Sequence, residues 1–247
     1  MLELTQRNKP AVEKAGIVPI DQIFPDTGLP SIDPSGSASF EQLGMARRLA
    51  VPGEDFDTSY IDQLYVEAQD AYIGGEDIWV GRQLSRFNDQ VVVDCGAGPR
   101  GYGYILAERF GAKAYIAVEP HHSEALGNDV LRIQSSGWDR TIPVAIVPSD
   151  MRAALSRIPS DSSSILLFGI DFSVVGSEDY FADCSEKIGH VLHPNGVLAI
   201  GGSDLDPPDV LSKIPDPEVT DIGFKRRAFF AKTDNNEEHN QKGEKSQ

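Results

Sequence analysis

The feature that most constrains the fold is a buried-strand pattern that leads directly into a glycine-rich turn. Three consecutive valines at 91–93 precede Asp94 and Cys95, and glycines then occupy positions 96, 98 and 101. A run of β-branched residues predicts a strand that is covered on both faces. The glycines permit a tight turn whose backbone comes close to a ligand. Because a helical pattern follows over 101–111, the stretch predicts the start of a doubly wound α/β domain.

From residue 90 onward, strand and helix patterns alternate along the chain. The predicted strands are 90–95, 113–119, 142–147, 164–170 and 196–201, and the predicted helices are 101–111, 122–136, 150–158 and 177–192. Two further strand-like runs follow at 219–224 and 227–232. This order predicts a doubly wound, mostly parallel seven-stranded sheet with an antiparallel edge strand.

The sequence outside this domain, 90–232, divides into three further parts. Residues 1–38 are predicted to be irregular because prolines recur through their second half. Apolar residues at helical spacing predict an N-terminal helical cap over 39–89. Residues 233–247 contain no apolar side chain, so we expect a disordered tail there.

Composition limits the classes of function. The 247 residues carry a formal net charge of −16, which argues against nucleic acid as a partner because phosphate is repelled. The two cysteines have no metal-ligand spacing, so neither a disulfide framework nor a metal site is predicted. Without a signal-peptide pattern or a long apolar run, we expect a cytoplasmic protein with no membrane association. The oligomeric state has no sequence signature.

Acidic residues follow three successive predicted strands. Asp94 ends the first strand, Glu119 ends the second, and Asp150 comes soon after the third. The carboxyl ends of parallel strands meet at one edge of a sheet, where an adenosine-containing ligand can bind. Each acid also has a simpler interpretation: Asp94 as a loop cap, Glu119 as a strand end and Asp150 as a helix cap.

Asp94, Gly96 and Gly98 form a D-x-G-x-G motif, and here the chain resembles the class I, Rossmann-like methyltransferases that use S-adenosylmethionine. The resemblance covers residues 90–232 and includes the segment LHPNGVLAI at 192–200, which is similar to the family's turn into strand five. It implies that S-adenosyl-L-methionine is the cofactor, with Glu119 at the ribose. The cofactor-binding residues that the resemblance implies are Asp94, Cys95, Gly96, Ala97, Gly98, Gly101, Glu119, Pro120, Asp150, Met151 and Phe168.

Two residues depart from the family pattern. Arg100 stands where many members have a third close glycine, and Asn195 replaces one glycine of the later turn. The acceptor is expected near the end of the fourth strand, where Asp171 is the candidate general base or orienting group. We expect a small-molecule or peptide acceptor. Met151 is expected to meet an adenine ring nitrogen through its backbone N–H, and its side chain is expected to pack on the ring.

Two other functions fit parts of the pattern. An NAD(P)-dependent oxidoreductase shares the G-x-G-x-x-G spacing and the acid after the second strand. Asp94 and the lack of a Tyr-x-x-x-Lys pair count against it. A non-catalytic protein that binds an adenosyl ligand on the same fold is the second alternative, because a fold does not imply an activity.

Overall fold

The computed structural model describes residues 16–32, 66, 78–135, 141–168, 178–201, 219–220 and 227–231. The tail predicted over 233–247 lies outside these residues, as does most of the helical cap predicted over 39–89. Within the range of the cap, the structure has helix α1, Ile78–Leu84, and a 3-10 turn, Ser85–Phe87. The domain boundaries taken from the sequence stay predictions.

In the part of the chain that the structure describes, five parallel strands form the centre of the fold. They are β1 Val91–Cys95, β2 Ala114–Val118, β3 Val144–Val147, β4 Ser163–Phe168 and β5 Val197–Gly201. The helices between them are α2 Tyr102–Arg109, α3 Ser123–Ser135, α4 Met151–Leu155 and α5 Glu178–Val191. All residues of β1 to β4 are buried, as expected for parallel strands covered on both faces. The predicted α/β class with a parallel, Rossmann-like sheet is therefore confirmed for these five strands.

The strand order reverses beside β1. The parallel strands lie in the order β3-β2-β1-β4-β5, so the chain builds outward from β1 to β3 and then returns to the other side of β1 with β4. Cys95 lies opposite Val118, and Val118 lies opposite Val147, so the carboxyl ends of β1, β2 and β3 are level. Open α/β sheets bind ligands beyond the carboxyl ends of the strands at such a reversal.

Two further strands extend the sheet beyond β5. β7, Arg227–Ala231, pairs antiparallel with β5, and β6, Val219–Thr220, pairs antiparallel with β7. Neither strand lies next to β1, where the order reverses. No helix in the described part of the chain has the length and apolar character needed to cross a membrane.

The sheet separates two apolar clusters. Side chains alternate along a strand, so Val92 faces the cluster that contains Tyr104 and Tyr115, whereas Val93 and Cys95 face the other cluster. By the same alternation Asp94 points to the side of Val92. The alternation therefore places a carboxyl group among apolar residues of α2 and β2.

Residues 16–32 pack along β3. The Val18 N–H donates to the Val144 carbonyl at 2.8 Å, and the Ile32 N–H donates to the Ile146 carbonyl at 2.9 Å. Ile20, only 1% exposed, anchors the segment in the core. The segment thus covers backbone groups that an edge strand would otherwise offer to another chain.

Candidate cofactor site

The glycine loop, residues 96–101, connects β1 to α2. Gly96 and Gly98 have φ of 75° and 69°, in the left-handed region that glycine adopts without steric cost. The Gly96 N–H donates to the Val118 carbonyl at 2.8 Å, which extends the contact between β1 and β2 by one residue. The loop therefore begins at the carboxyl edge and turns over the end of β2.

Glu119, the residue after β2, accepts hydrogen bonds from three backbone N–H groups. Its Oε2 accepts from Gly98 at 2.8 Å. Its Oε1 accepts from His121 at 2.8 Å and from His122 at 3.0 Å. Burial by itself would raise the pKa of Glu119, but these N–H groups, together with the His122 side chain 3.4 Å from Oε1, outweigh burial and hold the pKa below its usual value. Glu119 is therefore a charged carboxylate that fixes the glycine loop.

Asp94 lies beneath the same loop and is 1% exposed. The Tyr115 hydroxyl donates to Asp94 Oδ2 at 2.6 Å, whereas Oδ1 has no hydrogen-bond partner among the described residues. Burial raises the pKa of Asp94 to about 7; the Tyr115 bond opposes the shift and the charge of Glu119 adds to it. Near neutral pH this carboxyl group therefore exists in both protonation states.

Gly103 in α2 has no side chain, and the Asp94 carboxyl group occupies the space that a side chain would fill. A Cβ at this position would overlap Asp94 Oδ2 and would lie 2.7 Å from the Tyr115 hydroxyl oxygen. No residue with a side chain fits there unless Asp94 or Tyr115 moves. The glycine is thus required by close packing, because its backbone is ordinary helix.

Asp129, on α3, is a site residue that the sequence analysis did not identify. Its Oδ2 accepts the Gly101 N–H at 2.8 Å, and its Oδ1 lies 3.8 Å from Nη1 of Arg100. The end of the glycine loop is therefore held by a carboxylate from a helix outside the motif. One signal was present in the sequence: Asp129 directly precedes Val130, which belongs to the apolar face of α3.

Asp150 caps α4. Its Oδ1 accepts the Ala153 N–H at 3.0 Å, as the helix-cap interpretation predicted. Met151 is 6% exposed and its side chain belongs to an apolar cluster, which argues against the predicted packing on the adenine and leaves the backbone N–H for contact with a ligand. That N–H lies in the first turn of the helix, where the backbone has no intrahelical acceptor.

The remaining predicted site residues lie in different surroundings. Burial raises the pKa of the Cys95 thiol well above its usual value, and the nearby Asp94 adds to the shift. Ala97 and Phe168 are buried, and Pro120 is exposed. Asp171 lies outside the described residues. In the ranges that the structure describes, no group of His, Cys, Asp and Glu could hold a metal ion.

Comparisons with known proteins give structural neighbours only. No protein-family model matches the chain, and no curated protein matches it. A methyltransferase from Geobacter sulfurreducens is similar over 84% of this chain and 100% of its own, with 16% identity and a TM-score of 0.47. An rRNA methylase from Streptococcus thermophilus is similar over 63% of this chain and 95% of its own, with 17% identity and a TM-score of 0.46.

A third solved structure, the rRNA methyltransferase AviRa from Streptomyces viridochromogenes, is similar over 60% of this chain and 80% of its own. Its identity is 14% and its TM-score is 0.43. Because all three identities and TM-scores are low, we infer the function from the geometry at the carboxyl edge of the sheet.

Replacing Gly103 by alanine tests the packing under the loop. Gly103→Ala is expected to lower the free energy of unfolding by about 1–3 kcal/mol, because the added methyl group overpacks a buried site. Gly189→Ala in α5 is the matched control, since a Cβ there meets no described atom within 4 Å. This control should be neutral or stabilising by up to about 1 kcal/mol, from helix propensity. Urea denaturation measures both, and equal effects would contradict the packing argument.

The raised pKa of Asp94 predicts a specific dependence of stability on pH. In the folded state the Asp94 carboxyl group keeps its proton up to about pH 7, whereas its usual pKa, which applies to the unfolded chain, is 3.8. Between those pH values the folded state therefore binds more protons than the unfolded state. Asp94 therefore lowers the free energy of unfolding as pH rises through that window. Asp94→Asn has no such titration. The free energy of unfolding of Asp94→Asn minus that of wild type should therefore increase by about 2–3 kcal/mol from pH 5 to pH 7, at about 1.4 kcal/mol for each pH unit.

Urea titrations at pH 5, 6, 7 and 8 measure the difference between Asp94→Asn and wild type. Glu186→Gln, on the exposed surface of α5, removes a carboxylate outside the site. Its free energy of unfolding should not show this increase over wild type between pH 5 and pH 7. If the Asp94→Asn difference were the same at every pH, Asp94 would not retain its proton in the folded protein.

Proposed function

We propose that this chain is an S-adenosylmethionine-dependent methyltransferase that acts on a small-molecule or peptide acceptor. The observation that carries the proposal is the hydrogen bond from the Gly98 N–H to the Glu119 carboxylate. A loop that binds pyrophosphate offers its N–H groups to phosphate oxygens. Here one of those N–H groups is bonded to a negative charge, which favours a cationic ligand over an anionic one.

The site residues suit such a cofactor. Among the described residues, Glu119 Oε1 faces two N–H groups and the His122 side chain, whereas Oε2 accepts only from Gly98, so a ribose hydroxyl can donate to Oε2. The buried Oδ1 of Asp94 is an acceptor that a donor at the loop can satisfy. The Met151 N–H and the Asp150 carboxylate are proposed for the adenine ring and its amino group. Cys95, Gly96, Ala97, Gly101, Pro120 and Phe168 are proposed as backbone or wall contacts.

The chemistry follows from what each partner supplies. The cofactor would supply a methyl group on a positively charged sulfur, which is open to in-line displacement. The protein would hold donor and acceptor in line and exclude water, and these effects can produce much of the rate acceleration without a strong base. Asp171, which follows β4 in the sequence, is the proposed group that orients the acceptor or removes its proton. Residues 39–89 are proposed as the cap over this edge.

The charge of the chain supports the choice of acceptor class. At a net charge of −16, approach of a nucleic-acid backbone is unfavourable unless a local basic surface compensates. A small molecule or a peptide carries no such phosphate array. Methyl transfer to RNA is therefore an outcome that would contradict the proposed acceptor class.

Calorimetry with S-adenosylhomocysteine and ADP-ribose tests the cofactor class. The wild-type chain should bind S-adenosylhomocysteine about 100-fold more tightly than ADP-ribose, since the pyrophosphate meets the Glu119 charge. Glu119→Gln should weaken S-adenosylhomocysteine binding by about 10- to 100-fold, because a hydrogen bond to a charged acceptor contributes about 1.5–3 kcal/mol. Glu124→Gln, exposed on α3, is the matched control and should bind as wild type does.

A pair of nucleosides distinguishes the proposed ribose contact of Glu119 from its role in holding the glycine loop. Wild type should prefer adenosine to 2′,3′-dideoxyadenosine, and Glu119→Gln should lose most of this preference if the carboxylate accepts from the ribose. Absence of S-adenosylhomocysteine binding at millimolar concentration would refute the proposal. Tighter binding of ADP-ribose would favour the oxidoreductase alternative.

Transfer of a labelled methyl group tests the acceptor. Wild-type chain and labelled S-adenosylmethionine are incubated with separate small-molecule, peptide and RNA fractions, and the label should appear in one of the first two. Glu119→Gln should reduce the initial rate at low cofactor concentration by the factor found in calorimetry. Label in the RNA fraction alone would show the acceptor class to be wrong, and binding without transfer to any fraction would support the non-catalytic alternative.

A further inference from the structure

Asp94 is a buried acid at the carboxyl edge of the sheet whose hydrogen bonds are incomplete. It is 1% exposed, and the Tyr115 hydroxyl donates to its Oδ2 at 2.6 Å. Its Oδ1 has no hydrogen-bond partner in the part of the chain that the structure describes. A buried charged oxygen without a donor is costly, whereas a neutral carboxyl group costs much less. The geometry around Asp94 therefore favours its protonated form.

Two other titratable groups act on Asp94 in opposite directions. Burial is the main cause that raises the pKa of Asp94 to about 7. The Tyr115 hydroxyl opposes this shift, because it donates to the charged form, and the negative charge of Glu119 adds to it. Among the described residues, no cationic side chain forms an ion pair with Asp94. Tyr115 is thus the group that supports the charged carboxylate.

The strands on either side of Asp94 place uncharged residues opposite it. In the sheet it pairs with Ala117 of β2 and with Leu166 of β4. The next residue, Cys95, faces the other apolar cluster, and burial raises the pKa of its thiol well above its usual value. The thiol therefore stays neutral, and these strand residues add no charge beside Asp94.

Helix α2 covers the Asp94 carboxyl group on the face of Tyr115. Gly103 leaves the room that the carboxyl group occupies. Tyr104 contacts the Tyr115 ring edge-on, with 6.0 Å between the ring centroids, and burial raises the pKa of the Tyr104 hydroxyl. Glu108, a buried acid of the same helix, interacts with that hydroxyl. Because no described group of α2 donates to Oδ1, a ligand at the loop can supply this donor.

The loop next to Asp94 has room for a ligand. Asp94 comes two residues before Gly96, where the glycine loop begins. A Cβ at Gly98 would meet no described atom within 4 Å, so one side of the loop is open. The incomplete carboxyl group therefore belongs to the edge at which we propose that the cofactor binds.

We propose that the Asp94–Tyr115 pair couples occupation of the glycine loop to release of a proton. A ligand group that donates to Oδ1 stabilises the charged carboxylate, so the O–H bond of Asp94 breaks and its proton passes to the buffer, with no electron transfer. The inference rests on the proposed function, because S-adenosylmethionine has an amino-acid arm whose ammonium group is such a donor. It extends that function: cofactor affinity depends on pH, and Tyr115 is the positioning residue that sets the pH range.

Calorimetry in two buffers of different ionisation enthalpy counts the protons released on binding. At pH 6, wild type should release about 0.5–1 proton for each bound S-adenosylhomocysteine, and at pH 8.5 almost none, because Asp94 is then already charged. Since the ligand favours the charged form, the affinity should rise by about 5- to 10-fold between pH 6 and pH 8.

Adenosine is the matched control ligand, because it lacks the amino-acid arm. At pH 6 it should release fewer protons than S-adenosylhomocysteine, by at least about 0.4 proton for each bound molecule. The His122 side chain lies 3.4 Å from Glu119 and can also exchange a proton when ribose binds. Such a proton would be counted with both ligands, so the difference between them reports Asp94.

Three variants separate the coupling from a structural role. Asp94→Asn cannot ionise, so this proton release should disappear at every pH. Tyr115→Phe removes the donor to Oδ2 and should move the midpoint of release upward by about one to two pH units. Tyr104→Phe removes a neighbouring buried hydroxyl, which accepts from Gln134, and should keep the wild-type midpoint. A residue with only a structural role would weaken binding at every pH without moving the midpoint.

A proton count near zero at pH 6, or equal counts for S-adenosylhomocysteine and adenosine, would overturn the coupling. An unchanged midpoint in Tyr115→Phe would overturn the role of Tyr115. If Asp94→Asn does not fold, the wild-type counts and Tyr115→Phe decide the question, because both retain the carboxyl group. Absence of S-adenosylhomocysteine binding to wild type would refute the proposed function and the coupling together, whereas binding that does not depend on pH would overturn the coupling alone.

Discussion

The hydrogen bond between the Gly98 N–H and the Glu119 carboxylate is the contact on which the candidate site depends. It joins the loop after β1 to the end of β2, two strands whose carboxyl ends are level. The left-handed φ of Gly98 helps direct its N–H toward the carboxylate. The bond holds the loop against β2 and places the negative charge of Glu119 beside the Gly98 N–H. The choice of a cationic adenosyl ligand over a pyrophosphate rests on that charge.

Asp94 places a buried carboxyl group, which lowers stability, at the same carboxyl edge of the sheet. A buried acceptor without a partner costs about 1–3 kcal/mol, and Asp94 Oδ1 is such an acceptor among the described residues. The Tyr115 hydroxyl satisfies the other oxygen, and the absence of a side chain at Gly103 leaves room for the pair. Buried carboxyl groups with strongly raised pKa values occur most often at functional sites. Asp94 is therefore a group that ligand binding can stabilise, by offering Oδ1 a donor.

The sequence predicted most of the elements that position the site. The predicted helices 122–136 and 177–192 correspond to Ser123–Ser135 and Glu178–Val191 in the structure, because their apolar residues recur at helical spacing. The convergence of Asp94 and Glu119 was also predictable, since parallel strands end at one edge. The role of Asp129 was not, because its bond to Gly101 joins positions 28 residues apart that share no motif.

The sequence by itself determined the order of strands and helices, the glycine loop and the acids that follow the strands. These depend on local patterns: β-branched runs, apolar spacing and glycines at a turn. The tertiary structure alone decided which partner each acid takes. Glu119 binds the loop N–H groups, Asp94 is buried against Tyr115, and Asp129 closes the start of α2. The reason is physical: a carboxylate takes the donor that packing brings within about 3 Å, and packing is set by contacts between distant parts of the chain.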